Sequence, residues 1–280
     1  MTTYDPASIL EGLTAGQVIP YLGPAVLGLD GSTAVPSAPD TLVELITAKV
    51  TVPHKIRKNL TAAGQYIENF KHRKTLVGLL NEAFAAPPEP TALHRFLATL
   101  PLPLIVDVWY DASMAAALAG RSDFGQVQGV SRSEHFNQWV HYFHADGSAA
   151  EETEAAGWKT LLYKPLGSIA PASNFILSDS DYVEVLTEID IQTPIPERVK
   201  EIRTGRNFLF LGCRFRNQLE RTYARQIMKR SSDLHWAVLT EEPTRNELRF
   251  LAEQNIRRID VPLGEFAQQL LGGELALQAA

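Results

Sequence analysis

Cysteine is all but missing from this chain of 280 residues. Cys213 stands alone, so it can form neither an internal disulfide nor, by itself, a zinc site. It follows the apolar run Phe208-Leu-Phe-Leu-Gly212, which marks it as a small packed hydrophobe rather than a nucleophile. Long apolar runs are missing too, since no window approaches the ~20 apolar residues of a membrane span. The opening Met-Thr-Thr-Tyr-Asp-Pro has neither the basic nor the apolar region of a secretory signal. The expectation is therefore a soluble, cytoplasmic protein with no membrane partner. Basic charge is also in deficit, 26 Lys and Arg against 32 Asp and Glu giving a net charge of −6. That balance disfavours a general polyanion-binding surface, and no nucleic-acid partner is expected, although a local basic patch is not excluded.

What is present is a series of short apolar runs separated by helical patterns. The first run, Gln17-Val-Ile-Pro-Tyr-Leu-Gly23, stops abruptly at glycine, as a buried strand does when it turns into a nucleotide-binding loop. Backbone amides after such a turn can approach a phosphate, and the next helix adds its positive end. Here Pro24 has no N–H to give, and Leu27 puts an apolar side chain where a small polar one would suit an anion. Glu44 lies at the right distance for a ribose-binding acid but inside a helical pattern that begins at Asp40, so an ordinary dehydrogenase-type cofactor site is not indicated.

Further strands are expected over residues 101–111, 138–144, 159–164, 175–178, 205–212, 234–239 and 258–261, with helices over 5–15, 91–98, 179–189, 196–204, 217–230, 244–254 and 263–271. Such alternation implies an α/β fold, a Rossmann-like parallel sheet with helices on both faces. Residues 1–280 read as a single domain carrying a helical lobe at 54–100 and an irregular insertion at 119–157, within which Arg121–Gln126 looks like loop. The lobe bears His54, Lys55, Arg57, Lys58, Lys71, His72, Arg73 and Lys74 among apolar residues, read either as solvated basic faces or as a rim for an anionic ligand.

Ligands of open α/β sheets lie beyond the carboxyl ends of the strands, which favours Asp107, Trp109, Tyr110 and Asp111. The plainer alternative is that Trp109 fills core and Asp111 caps a helix. His141 and His144 fall on opposite faces of a strand, which argues against shared metal ligation. Even with His135 and Asp146 nearby, no metal is expected.

Six stretches, in order, resemble the sirtuin-like superfamily, in particular its broad bacterial branch of NAD-binding and NAD-hydrolysing domains. They are Tyr21-Leu-Gly23-Pro24-Ala25-Val26-Leu27, the loop and helix from Val35, Val108-Trp109-Tyr110-Asp111, the pair Lys164-Pro165-Leu166-Gly167 and Ser178-Asp-Ser-Asp181-Tyr182, and Phe210-Leu-Gly212 through Asn217. The resemblance implies that NAD or ADP-ribose, if bound, would meet Gly23, Pro24, Ala25, Tyr110, Asp111, Gly167, Gly212 and Asn217. It also implies chemistry from an Asn and a His, but Trp109 stands at the first position and Leu166 at the second. Neither side chain can accept a proton at neutral pH, and loss of a general base alone typically costs ~10²–10⁴-fold in rate.

These departures point to a catalytically degenerate, non-enzymatic module that binds a nucleotide or a protein partner. One alternative is an NAD hydrolase with a rearranged site using Asp107, Asp111, His135, His141 or His144. Another is a scaffold acting through its helical lobe, the acidic segment 149–156 or the aromatic tract 136–143. Deacylation of the true sirtuin type is disfavoured, because its structural zinc needs four cysteines.

Overall fold

The computed structural model describes residues 4–131, 138–191 and 195–278. His135, Phe136 and Asn137 lie outside the described residues. In chain order, α1 (Pro6–Thr14) leads into β1 (Val18–Leu22), followed by a 3-10 turn (Pro24–Gly28), α2 (Pro39–Lys49), α3 (Leu60–Lys71), α4 (Arg73–Ala83) and α5 (Ala92–Thr99). Next come β2 (Leu104–Asp107), α6 (Ser113–Leu118), β3 (Phe124–Gly129), β4 (Val140–His144), β5 (Ala149–Ala150), β6 (Thr160–Lys164), β7 (Gly167–Ser168) and β8 (Asn174–Phe175). The chain continues through α7 (Asp179–Ile191), α8 (Glu197–Arg203), β9 (Asn207–Leu211), α9 (Gln218–Met228), β10 (His235–Val238), α10 (Arg245–Glu253), β11 (Ile256–Ile259) and α11 (Leu263–Gln278).

Among the described residues, nine strands form one sheet in the order β11-β10-β9-β1-β2-β6-β3-β4-β5. Every pairing from β11 to β3 is parallel, and β4 and β5 add an antiparallel edge. The chain leaves β1 toward β2 on one side and returns to β9 on the other. The topological switch point of the sheet therefore lies between β1 and β9, where Leu22 pairs with Leu211.

Alternate residues of each central strand feed opposite faces. Ile19, Tyr21, Phe208 and Phe210 enter one core with Val199 of α8 and Phe250 of α10. Val18, Leu22, Leu209 and Leu211 enter the other with Leu13 of α1 and Phe266 of α11. The sheet is thus covered on both faces, as continuous apolar strands require. A third apolar cluster, holding Leu42, Ile67, Leu76 and Leu80 of α2–α4, joins that helical layer to Trp109 and Tyr110 just beyond β2.

Three local expectations need correction. Phe124-Gly-Gln126, read as the end of a loop, begins β3, a parallel strand inside the sheet. Its polar side chains are satisfied within the protein: Gln126 Nε2 donates to Ala170 O at 2.9 Å and Gln128 Nε2 to Ser168 O at 3.2 Å. Of the run 175–178, only Phe175 is strand, in a two-residue antiparallel ladder between β7 and β8. Asp40 sits in the first turn of α2, with Ala38 at the cap position.

Candidate functional site

The loops that leave β1 and β9 meet across the switch point. Gly23 N–H donates to Leu211 O at 2.8 Å, Ala25 N–H to Gly212 O at 3.2 Å and Val26 N–H to Gly23 O at 3.3 Å. The two glycines permit this approach: a Cβ on Gly23 would stand 2.5 Å from Gly212 O, and one on Gly212, whose φ is +68°, would stand 2.7 Å from Val26 N. Three amides of the turn are therefore occupied by backbone carbonyls, and Pro24 has none. A loop built this way resembles a closed seam more than an anion cradle.

Above the seam the space is filled by side chains. Trp109 is buried at 4% exposure. Its indole Nε1–H donates to Pro36 O at 2.7 Å, and its backbone N–H donates to Asp107 Oδ1 at 3.1 Å. The ring lies 5.1 Å from that of Tyr110 and meets Phe84 edge-on at 6.0 Å. Leu27 and Phe175 belong to the same cluster, and the half-buried Leu166 packs against it. Tyr110 is likewise committed inward, its hydroxyl donating to Ile176 O at 2.9 Å.

Beneath this apolar layer lies a buried polar one. Lys164 at the end of β6 donates to Asp107 Oδ2 at 2.7 Å and to the carbonyl of Asp111 at 2.9 Å. Burial pushes the Asp107 carboxyl up to about 6, outweighing the opposing pull of Lys164. The Asp111 carboxylate accepts the Ser113 N–H at 2.7 Å, so it secures the turn into α6. His94 completes the layer, with Nδ1 accepting the Thr91 N–H at 3.1 Å in a capping box. Desolvation drives its imidazole down to about 4.

The remaining landmarks are also engaged. Gly167 has φ +84°, and a side chain there would collide with the Asn174 carbonyl across the β7–β8 ladder. Asn217 is exposed and caps α9, its Oδ1 accepting the Glu220 N–H at 2.8 Å while Glu220 bonds back to the Asn217 N–H. Cys213 is buried beside the seam, and burial pushes its thiol well above the usual range. Arg214 is held by both oxygens of the buried Glu247, at 3.1 and 3.2 Å. Burial works to raise the Glu247 carboxyl, but Arg214 and the Thr244 and Phe215 amides prevail and bring it to about 2.

Gly23, Pro24, Ala25 and Gly212 are thus brought together at the switch point. Tyr110, Asp111 and Gly167 gather one layer away around Ser168, whose hydroxyl lies within hydrogen-bonding range of the Tyr110 and Asp111 carbonyls. Asn217 stands apart on the surface. His141 and His144 lie on the antiparallel strand β4, His141 bonded to Gln138 and His144 paired with Glu154 at 3.4 Å. Among the described residues, no group of three or more His, Cys, Asp or Glu side chains is placed to share a metal ion.

Sequence reading did not single out Lys164 as a partner for Asp107 or His94 for any role, and it placed Asp181 only within the stretch Ser178-Asp-Ser-Asp181-Tyr182. Asp181 is the busiest of them: it accepts Arg73 at 2.7 Å, the Ser131 hydroxyl at 2.6 Å, and the Leu177 and Ser178 amides at 2.9 and 3.0 Å. A buried lysine closing an apolar strand was the one available signal for the first of these.

Compared with known proteins, residues 103–259 match the family model described as a SIR2-like domain. That span runs from just before β2 to the end of β11 and takes in more than half of the chain, while β1 and its glycine turn precede it. No curated protein matches the chain.

Proposed function

The chain belongs to the SIR2-like domain family, and from that premise we propose that it is a catalytically degenerate member, a binding module that does not turn over NAD. The observation that carries this reading is the indole of Trp109. Where the resemblance calls for an asparagine facing a ribose, a buried ring is locked to Pro36 O at 2.7 Å and packed among Phe84, Tyr110 and Leu27. The protein fills this part of the cleft with itself.

The residues at the switch point do not fit the pyrophosphate of NAD or ADP-ribose. The amides of Gly23, Ala25 and Val26 already have carbonyl partners, and freeing them would leave the Leu211 and Gly212 carbonyls without theirs. A rearranged NAD-hydrolysing site finds little support, because Asp107 and Asp111 are bound inward and His141 and His144 stand on β4. With the cleft occupied, the partner of this module meets the outside of the fold.

The test is calorimetric titration of NAD and of ADP-ribose into the purified chain, with the same sample assayed for released nicotinamide. The expected outcome is no nicotinamide and no saturable heat. Release of nicotinamide would overturn the reading, whereas binding without release would return the nucleotide to the cleft and keep the module non-enzymatic.

A further inference from the structure

We propose that the outer face of α3, together with the basic segments at its two ends, binds single-stranded nucleic acid. The net charge of −6 hides a strong local excess. Between residues 54 and 75 stand six Lys and Arg and one acid, Glu68. That acid is 3.2 Å from Arg73, which Asp181 also holds. Lys55, Arg57 and Lys58 before α3, Lys71 at its last residue and Lys74 in the first turn of α4 are exposed, and none of the five pairs with a carboxylate among the described residues.

Between these two sets of charges lie aromatic rings. Tyr66 and Phe70 are four residues apart on one face of the helix, and their ring centroids are 4.5 Å apart. Phe70 is 65% exposed, more than any other large hydrophobic side chain among the described residues. The 12 residues of α3 span ~18 Å, with Lys71 in its last turn and the other cations beyond its two ends. The helix is seated on the fold: Ala63, Gly64 and Ile67 form its buried face, and Gly64 is pressed so closely on Leu177 that a side chain there would collide with it.

Exposed cations in number, the exposed ring of Phe70 backed by the half-buried Tyr66, and a single acid in the stretch together suit a phosphate polymer with unpaired bases. The cations neutralise phosphates, and the rings offer faces on which bases stack. A protein partner is less well matched, since Lys is depleted from protein–protein interfaces. A duplex keeps its bases in its own stack and gains nothing from Phe70. Phe70 stands outside the apolar cluster that holds Trp109, and the inference is independent of whether the chain turns over NAD.

Fluorescence anisotropy with the full chain tests it, using labelled oligo(dT) and oligo(U) of about 16 nucleotides and a duplex of equal length. Single strands are expected to bind more tightly than the duplex, and their affinity should fall up to about 100-fold between about 50 and 200 mM salt if all five cations meet phosphates. Lys71→Glu with Lys74→Glu should weaken binding at least about tenfold and flatten the salt slope. Phe70→Ala should weaken it about 5- to 100-fold with the slope unchanged. All three positions are exposed, and circular dichroism of each variant checks that it remains folded. The proposal is overturned by absence of single-strand binding at low salt, by preference for the duplex, by indifference to Phe70→Ala, or by binding to anionic vesicles or an acidic polypeptide in place of the oligonucleotides.

Discussion

Lys164 Nζ and Asp107 Oδ2 lie 2.7 Å apart at the ends of the neighbouring strands β6 and β2, and both side chains are all but sealed from water. An ion pair in that position is costly to leave half made, because either charge alone would be buried without a partner. Lys164→Met should therefore destabilise the fold by about 3–5 kcal/mol, and the double variant with Asp107→Asn by clearly less. Denaturant unfolding of both variants checks this. Equal losses would mean that the bond from Lys164 to the Asp111 carbonyl matters more than the pairing.

Acid should loosen the fold through two imidazoles. His94 and His235 are buried, and desolvation brings each down to about 4 from the ordinary 6.5. Each accepts a backbone N–H in its neutral form, His94 from Thr91 and His235 from Phe208 at 2.9 Å. Their folded values are depressed, so their contribution is complete above 6.5 and is lost as pH falls through about 4. Asp107 runs the other way: its folded value of about 6 is raised above 3.8, so its contribution is complete below 3.8 and lost as pH rises through about 6. Melting curves of the parent and of His94→Gln, His235→Gln between about pH 7 and pH 4 separate the two, with the variant expected to lose less on acidification.

Two glycines should respond to alanine with opposite signs. Gly212→Ala forces a Cβ to 2.7 Å from Val26 N at a φ of +68°, and should cost at least about 2 kcal/mol from backbone strain and collision. Gly78 lies within α4 with nothing within 4 Å of a Cβ, so Gly78→Ala should stabilise by about 1 kcal/mol. The shift of the guanidinium midpoint measures both. A neutral Gly212→Ala would show that the seam between the β1 and β9 loops yields easily.

Restoring the family's side chains should not restore chemistry. Trp109→Asn removes a packed ring and should cost about 3–5 kcal/mol, while Leu166→His replaces a half-buried residue. Even combined, they leave Pro24 and the engaged amides of Gly23 and Ala25 in place. The expected result is no nicotinamide release from a folded double variant, and measurable release would show that the two substitutions alone had silenced the site.

Much of the fold was legible because the central strands are apolar on both faces, as in Val18–Leu22 and Phe208–Leu211, and because glycine ends them. Phe124-Gly-Gln-Val-Gln-Gly129 was not legible. Two of its six residues are apolar side chains, and its glutamines are buried only because carbonyls some 40 residues away receive them. The misfits Trp109 and Leu166 could be seen by position, but the seam at Gly23 could not, since it depends on which carbonyls happen to face those amides. Likewise nothing near Asp107 in the chain announces Lys164, which is 57 positions away.

The arrangement at Asp181 has a mechanical consequence. One buried carboxylate is shared by Arg73 at the start of α4, Ser131 beyond β3 and the amides that open α7. Swinging α3 and α4 away from the sheet would break that junction and strand a charge inside the protein. Those helices are therefore a buttress rather than a hinged cover, and their slowest-exchanging amides should open only when the whole molecule unfolds.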